Sequence, residues 1–183
     1  MAAPAPGVGY DGSMRSTLVV LALLAAAPLR ARIPETVDGT AIPNYRVIRP
    51  GLATAGQPTP EALGRLKAMG FKTVINLRTE KEGGKAEGEP VKAAGLRYVW
   101  VPVAADTLSA ADVDAVAKVL DDPEAQPILL HCASANRVGA VWTILQVRKG
   151  KAPEEAEAEG RTIGLSGPAM LDATKRVLAA EKP

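Results

Sequence analysis

The chain has 183 residues, of which 47% are hydrophobic and 23% charged, which is the profile of a globular protein with a single domain. Its 22 basic and 20 acidic residues leave a net charge of +2, and only 3% of the residues are aromatic. A nucleic-acid-binding surface is therefore not expected. One cysteine and one histidine exclude an internal disulfide and are too few for a dedicated zinc site, so we expect no metal.

The N-terminal residues 1–31 have the pattern of a secretory signal peptide. Arg15 precedes an uncharged apolar run over 17–27, which small residues follow. This run is shorter than the roughly 20 residues that span a bilayer as a helix. We predict export to the periplasm or the medium, no stable membrane span after processing, and a true start at Met14. The cleavage site stays open, and an uncleaved anchor or a buried helix is the alternative.

The rest of the chain is predicted to be a linker at 32–44, where prolines and a glycine interrupt any periodicity, and one domain at 45–183. In chain order, the first predicted elements of the domain are a β-type run at 45–48, a helix from 60 to about 69 and a strand at 73–77. A mobile charged loop at 78–88 follows, then a helix at about 89–94, a strand at 96–101 and a helix to about 120, which begins at a capping box of Ser109 and Asp112. The last predicted elements are a strand at 127–131, a helix after Arg137 and two helices at about 153–161 and 168–180. Strands that alternate with helices predict an α/β fold with a mostly parallel central sheet flanked by helices.

The most informative segment is HCASANR at 131–137, which contains the only histidine and the only cysteine of the chain. It joins an apolar strand to a helical pattern, so Cys132 is predicted at the carboxyl end of a strand, where α/β sheets bind ligands. Loop N–H groups and the helix N-terminus would together bind an anion and favour a thiolate. The predicted anion-binding loop comprises His131, Ala133, Ser134, Ala135 and Asn136.

Arg137 completes this prediction, because its forked guanidinium suits two oxygens of a tetrahedral anion. A thiolate and a guanidinium at one pocket predict covalent catalysis by an activated cysteine. The alternative interpretation is structural: Cys132 as a small buried residue, His131 as a core histidine and Arg137 as a surface charge.

HCASANRVG resembles the signature loop of the cysteine-dependent protein phosphatases, in particular their dual-specificity-like branch. The segments GLATAGQPT at 51–59 and VINLR at 74–78 are similar to the same branch, so the likeness spans about 45–165. The bacterial beta-lactamase-hydrolase-like phosphatase-like domains share these motifs. The resemblance implies Cys132 as a nucleophile that forms a phosphocysteine, Arg137 as a phosphate ligand, a small anionic or phosphorylated substrate, and no cofactor.

Three departures from the phosphatase signature are visible. Four residues, not five, separate Cys132 from Arg137, and Ala135 replaces a loop glycine, which costs roughly 1 kcal/mol if its φ is positive. Val138 stands where a hydroxyl residue usually follows the arginine, and Ser134 could substitute only if it points inward. The short spacing also resembles rhodanese-type sulfurtransferases, so a Cys132 persulfide is one alternative and a non-catalytic anion-binding module is another.

Phosphatase chemistry also needs a carboxylic acid that protonates the leaving oxygen. In the family this acid lies on a loop after the strand that precedes the signature, and Asp106 is the best match by position. A simple turn residue is the alternative interpretation of Asp106. Glu80 and Glu82, in the charged loop, are weak candidates, and we predict a surface position for Arg78.

Overall fold

The computed structural model describes residues 1–3 and 32–181. The predicted signal peptide and the start at Met14 therefore lie outside the described residues, apart from the first three. Among the described residues, no helix is long and apolar enough to cross a membrane.

The centre of the fold is a five-stranded sheet in the order β1-β2-β5-β3-β4. Its strands are β1 (Arg46–Arg49), β2 (Leu52–Ala55), β3 (Thr73–Asn76), β4 (Arg97–Trp100) and β5 (Ile128–His131). The pairs β2–β5, β5–β3 and β3–β4 are parallel, and only the edge strand β1 is antiparallel to its neighbour. This confirms the predicted α/β fold with a mostly parallel sheet. The strand β2, with the sequence LATA, was not predicted.

Helices cover both faces of this sheet. They are α1 (Pro60–Arg65), α2 (Gly88–Ala93), α3 (Ala110–Leu120), α4 (Asn136–Arg148), α5 (Pro153–Ile163) and α6 (Pro168–Ala180), with 3₁₀ turns at Glu80–Glu82 and Pro123–Ala125. Thr59 caps α1, and Ser109 with Asp112 forms the predicted capping box of α3. Helix α1 is shorter than predicted, because turns continue the chain from Leu66 to Gly70.

The alternation of side chains along β5 divides the core into two parts. Ile128 and Leu130 pack on the side of α3, α4 and α6, whereas Leu129 packs on the side of α1 and α2. Because successive strand residues point to opposite faces, His131 is directed toward the α1 and α2 side. The next residue, Cys132, packs with the cluster on the α4 side. The adjacent residues His131 and Cys132 therefore lie on opposite faces of the sheet.

The segment 32–44 is part of this core, which corrects its assignment as a linker. Ile33 and Ile42 are buried and pack with the cluster beneath α1. The Tyr45 hydroxyl donates a hydrogen bond to the Pro34 carbonyl at 2.7 Å, and the Gly56 N–H donates to the Pro43 carbonyl at 2.7 Å. The burial of these two isoleucine side chains holds the segment against the domain, although its prolines interrupt any regular pattern of apolar residues.

Candidate active site

Cys132 lies directly beyond the carboxyl end of the central strand and is completely buried. Its N–H donates to the carbonyl of Ala55, at the end of β2, at 3.4 Å. The strands β2 and β3 flank β5 in register, with Ala55 and Asn76 opposite His131. The thiol therefore lies at the edge of the sheet where open α/β folds place their ligands.

In the loop after Cys132, carbonyl groups point outward and accept hydrogen bonds from residues outside the loop. The Ala133 carbonyl accepts from the Gln57 N–H at 3.0 Å, and the Ser134 carbonyl accepts from Asn44 Nδ2 at 3.2 Å. Gly56 and Ser134 form an isolated antiparallel bridge, and within the part of the chain that the structure describes the N–H groups of Ala133, Asn136 and Arg137 donate no hydrogen bond. A row of free N–H groups that ends at a helix N-terminus can surround an anion.

Ala135 takes the left-handed conformation that makes this turn possible, with φ of +66°. This conformation normally favours glycine, because a Cβ atom crowds the backbone there. Ala135 is buried, and a Cβ added to Gly164 would come within 3.0 Å of the Ala135 Cβ. The missing side chain at position 164 therefore leaves the room that the Ala135 methyl group occupies.

Arg137, in the first turn of α4, is held by a carboxylate. Its Nη1 and Nη2 donate to the two oxygens of Glu82 at 2.7 and 2.6 Å, and Nη1 also donates to the Val103 carbonyl at 3.1 Å. Burial disfavours the charge of Arg137, but the hydrogen bonds to Glu82 and the proximity of Cys132 outweigh it and raise the pKa of Arg137. The same bonds from Arg137 lower the pKa of Glu82 to about 2. Both partners are thus charged at neutral pH, and Arg137 lies close to the thiol.

A second carboxylate, Glu87, lies on the other face of the sheet beneath His131. Its Oε1 is 2.9 Å from His131 Nε2 and accepts from Asn76 Nδ2 at 2.9 Å. Its Oε2 accepts from Gln57 Nε2 at 2.6 Å and from Arg78 Nη1 at 3.3 Å. The Nε2 atom of His131 is not aligned with the carboxylate for a hydrogen bond, so the two groups are in close contact without good hydrogen-bond geometry.

The structure corrects two sequence predictions, the mobile loop at 78–88 and the surface position of Arg78. The loop 78–88 is not a detached charged loop, since Thr79 and Glu82 form a capping box and Trp100 Nε1 donates to the Arg78 carbonyl at 2.7 Å. Glu82 is the partner of Arg137, whereas Glu80 pairs with Lys85 at the surface. Arg78 is 18% exposed and belongs to the buried network. The spacing T-x-x-E at 79–82 was the one local signal for an ordered turn here.

The remaining predicted residues lie around the same loop. Asp106 is exposed in the turn after β4, on the loop whose Val103 carbonyl contacts Arg137, and it makes no hydrogen bond or ion pair to any described residue. Ser134 is exposed, and Val138 is buried. Asn136 accepts a hydrogen bond from the Ser166 N–H at 2.8 Å, which ties the start of α4 to the segment before α6.

No group of three or more His, Cys, Asp or Glu side chains within the described ranges is arranged to hold a metal ion. A groove of about 380 Å³ lies between residues 34–42 and α1, and none of the predicted site residues lines it. The chemistry-bearing side chains therefore gather at the loop after β5 and not at this groove.

Comparison with known proteins agrees with this geometry. The family described as "Beta-lactamase hydrolase-like protein, phosphatase-like domain" matches residues 44–149, which is more than half of the chain. The beta-lactamase hydrolase-like protein of Xylella fastidiosa (strain Temecula1) is 31% identical over 119 residues, and that of Agrobacterium fabrum (strain C58) is 30% identical over 119 residues. Each match covers 62% of this chain but 27% of the relative, so the chain spans about a quarter of these curated proteins.

Solved structures share the fold. A DUF442 phosphatase candidate of Shewanella putrefaciens CN-32 is 26% identical, with a TM-score of 0.64 over 79% of this chain and 97% of that one. A Cys-to-Ser variant of TpbA from P. aeruginosa, in complex with pTyr, is 20% identical, with a TM-score of 0.60 over 83% and 91%. The catalytic core of the PP-IP phosphatase SIW14 from S. cerevisiae, in complex with citrate, is 15% identical, with a TM-score of 0.60 over 73% and 85%. The resemblance to cysteine-based phosphatases is thereby confirmed.

Proposed function

Because the chain belongs to the family of the phosphatase-like domain of beta-lactamase hydrolase-like proteins, we propose that it hydrolyses a phosphate monoester with Cys132 as nucleophile. One observation supports this most strongly: a buried thiol adjoins a charged arginine and a loop in which the N–H groups of Ala133, Asn136 and Arg137 are free, among the described residues, to bind an anion. The loop N–H groups and Arg137 would bind the phosphate oxygens and stabilise the charge that develops in the transition state.

The proposed reaction has two steps. The Cys132 thiolate attacks phosphorus, a sulfur–phosphorus bond forms, and the ester oxygen leaves with a proton from a general acid. Water then attacks the phosphocysteine, which releases inorganic phosphate and restores the thiolate. Asp106 is the proposed acid, since it lies on the loop that also contacts Arg137 through the Val103 carbonyl. Its exposure leaves it free to meet a substrate oxygen.

Glu82 has a supporting part in this proposal. A buried arginine has five donors and rotatable bonds, and a bidentate carboxylate restricts it to one orientation. The carboxylate of Glu82 is ionised over the physiological range, because its pKa is about 2. Glu82 is therefore a positioning residue for Arg137 and not a proton donor.

Sulfur transfer is the second candidate, and the four-residue spacing between Cys132 and Arg137 favours it. In that reaction the Cys132 thiolate would attack the outer sulfur of thiosulfate, whose S–S bond breaks so that sulfite leaves, and the resulting persulfide would pass its outer sulfur to a nucleophile such as cyanide. Position 138, directly after Arg137, holds a buried valine and not a hydroxyl residue. Sulfur transfer depends less on that hydroxyl group than phosphate hydrolysis does. A module that binds anions without turnover is the third possibility.

One parallel experiment distinguishes the three. The purified protein is incubated with an aryl phosphate and, separately, with thiosulfate, and the intact mass of the chain and released phosphate are measured. We expect phosphate release that the Cys132→Ser variant abolishes and that Asp106→Asn reduces roughly 100-fold. The control is Asp172→Asn on α6, which should keep full activity. A sulfur adduct on Cys132 with no phosphate release would favour the sulfurtransferase. Anion binding with neither a sulfur adduct nor phosphate release would favour the non-catalytic anion-binding module.

We also propose that the mature protein is exported, on the strength of the basic residue and apolar run within 1–31. Export would place the lone Cys132 thiol in an oxidising compartment. Cell fractionation followed by N-terminal sequencing tests this proposal. A cytoplasmic protein with an intact N-terminus would contradict it.

A further inference from the structure

Glu87 is the one buried aspartate or glutamate among the described residues. A carboxylate away from water is costly unless donors surround it, and each oxygen of Glu87 has two nitrogen neighbours. Burial by itself would raise the pKa of Glu87, but the contact with His131 and the bonds from Gln57, with the charge of Arg78, lower it. The side chain is thus an anion fixed within the protein, and the reaction proposed above does not use it.

Among the described residues, the Glu87 carboxylate is also the charged group in contact with the His131 ring. The Nδ1 atom of His131 is buried with no hydrogen-bond partner among the described residues, whereas Nε2 lies 2.9 Å from the Glu87 carboxylate. A carboxylate oxygen at this distance favours a proton on Nε2 over a bare lone pair. The orientation of the ring therefore depends on Glu87.

His131 is joined to Cys132 by one peptide bond at the end of β5. A ring that rotates would disturb the strand end from which the anion-binding loop starts. We propose that Glu87 is a positioning residue, which holds the His131 ring and thereby sets the reactivity of the Cys132 thiolate. This inference rests on the proposed role of Cys132 as a nucleophile.

The other charged and titratable groups near this pair come from three elements. Arg78, on the loop after β3, approaches the Glu87 carboxylate, and the Tyr98 hydroxyl, on β4, reaches the same network through Asn76. Burial raises the pKa of Tyr98 above its ordinary value, so this hydroxyl stays neutral. On the Cys132 side, Arg137 and Glu82 form their own ion pair. Replacing Glu87 therefore changes one charge at His131 and leaves the Arg137 pair in place.

The experiment measures the rate of Cys132 alkylation by iodoacetamide against pH in tag-free protein. Because the chain has a single cysteine and a single histidine, each signal belongs to one residue. In Glu87→Gln, which keeps the shape but loses the charge, we expect the alkylation midpoint to rise by about one pH unit. The kcat for aryl phosphate should fall roughly 10-fold with little change in KM. Glu87→Asp, which keeps the charge one methylene farther away, should fall between wild type and Glu87→Gln.

Tyr98→Phe is the matched control, since it removes a hydrogen bond from Asn76 and preserves the contact between Glu87 and His131. We expect its alkylation profile to match the wild type. An unchanged midpoint in Glu87→Gln, or an equal shift in Tyr98→Phe, would overturn the inference, because a general loosening of the network would then explain the effect.

A measurement on the unmodified sequence guards against variants that fail to fold. The ¹⁵N shifts of the His131 ring in labelled, tag-free protein should show a proton on Nε2 across about pH 5 to 8. An Nε2 without a proton would overturn the inference. Alkylation and nitrogen shifts need no turnover, so a protein that releases no phosphate would contradict the proposed function and leave this test intact.

Discussion

Two loops leave neighbouring parallel strands at the same edge of the sheet, and their conformations have different origins. The loop after β5, residues 132–137, is shaped by its own backbone, through the left-handed Ala135 and the start of α4. The loop after β3, residues 78–88, is shaped by partners far along the chain, through Glu82 at Arg137 and Glu87 at His131. The first loop presents the donors that would bind an anion, and the second holds the two residues that flank the thiol.

The loop at 132–137 would bind the anion, whereas the loop at 78–88 orients the side chains beside the thiol. An anion-binding loop can be built from N–H groups and a helix N-terminus, with almost no side-chain chemistry. A thiolate and an arginine need restraint, and here carboxylates provide it from both faces of the sheet. The acidic loop is therefore as important to the site as the signature loop, although its composition is that of a solvated surface segment.

The largest expected effect comes from removing the group that both loops share. Arg137→Ala should lower kcat/KM for an aryl phosphate roughly 1000-fold, because it removes a charged donor to the transition state and leaves Glu82 without its cationic partner. Arg161→Ala is the control, as this arginine pairs with Glu157 at the surface of α5. It should stay within about twofold of wild type. Equal losses in the two variants would mean that the effect is not specific to the site.

The backbone origin of the signature loop can be tested at Gly164. Gly164→Ala places a methyl group against Ala135 at a φ of +146°, and we expect the free energy of unfolding to fall by roughly 3 kcal/mol. Gly150→Ala is the matched control, since Gly150 also has a positive φ, +90°, but nothing lies within 4 Å of an added Cβ. It should lose about 1 kcal/mol in urea unfolding. A similar loss in both variants would show that contact with Ala135 contributes nothing.

The side-chain origin of the acidic loop predicts a dependence on pH. The pKa of Glu82 is about 2 in the folded chain, below the ordinary 4.5, so its contribution to stability is complete above pH 4.5 and disappears as the pH falls toward 2. About a third of this side chain is exposed, and solvent screening limits the effect to on the order of 1 kcal/mol. Unfolding of Glu82→Gln should lose this pH dependence, whereas Glu80→Gln in the same loop should retain it.

The smallest effect is expected at Ala135 itself. Ala135→Gly relieves a strain of about 1 kcal/mol but adds freedom to the unfolded chain and removes a buried methyl group, so these terms nearly cancel. The free energy of unfolding should change by less than about 1 kcal/mol, and phosphate release should stay within a few-fold. A loss of activity of 100-fold or more would mean that the alanine methyl group shapes the anion site.

Local sequence was sufficient for the elements with strong patterns. The capping box of Ser109 and Asp112 predicted the start of α3, and the apolar run before His131 predicted the buried strand β5. The order of strand, loop and helix predicted that the cysteine lies at the carboxyl end of a strand. The short strand β2 was missed because its four residues, LATA, carry no clear periodicity, and it forms because β1 and β5 supply its hydrogen bonds.

By itself, the sequence determined the α/β alternation, the strand that ends at the thiol and the loop that follows it, since each depends on residues a few positions apart. The tertiary structure decided which carboxylates serve the site: Glu82 reaches Arg137 across 55 residues, and Glu87 meets His131 only because β3 and β5 are paired. Composition assigns acidic residues to the surface, and only the order of the strands and the face that each side chain takes can bring them against a buried histidine and an arginine.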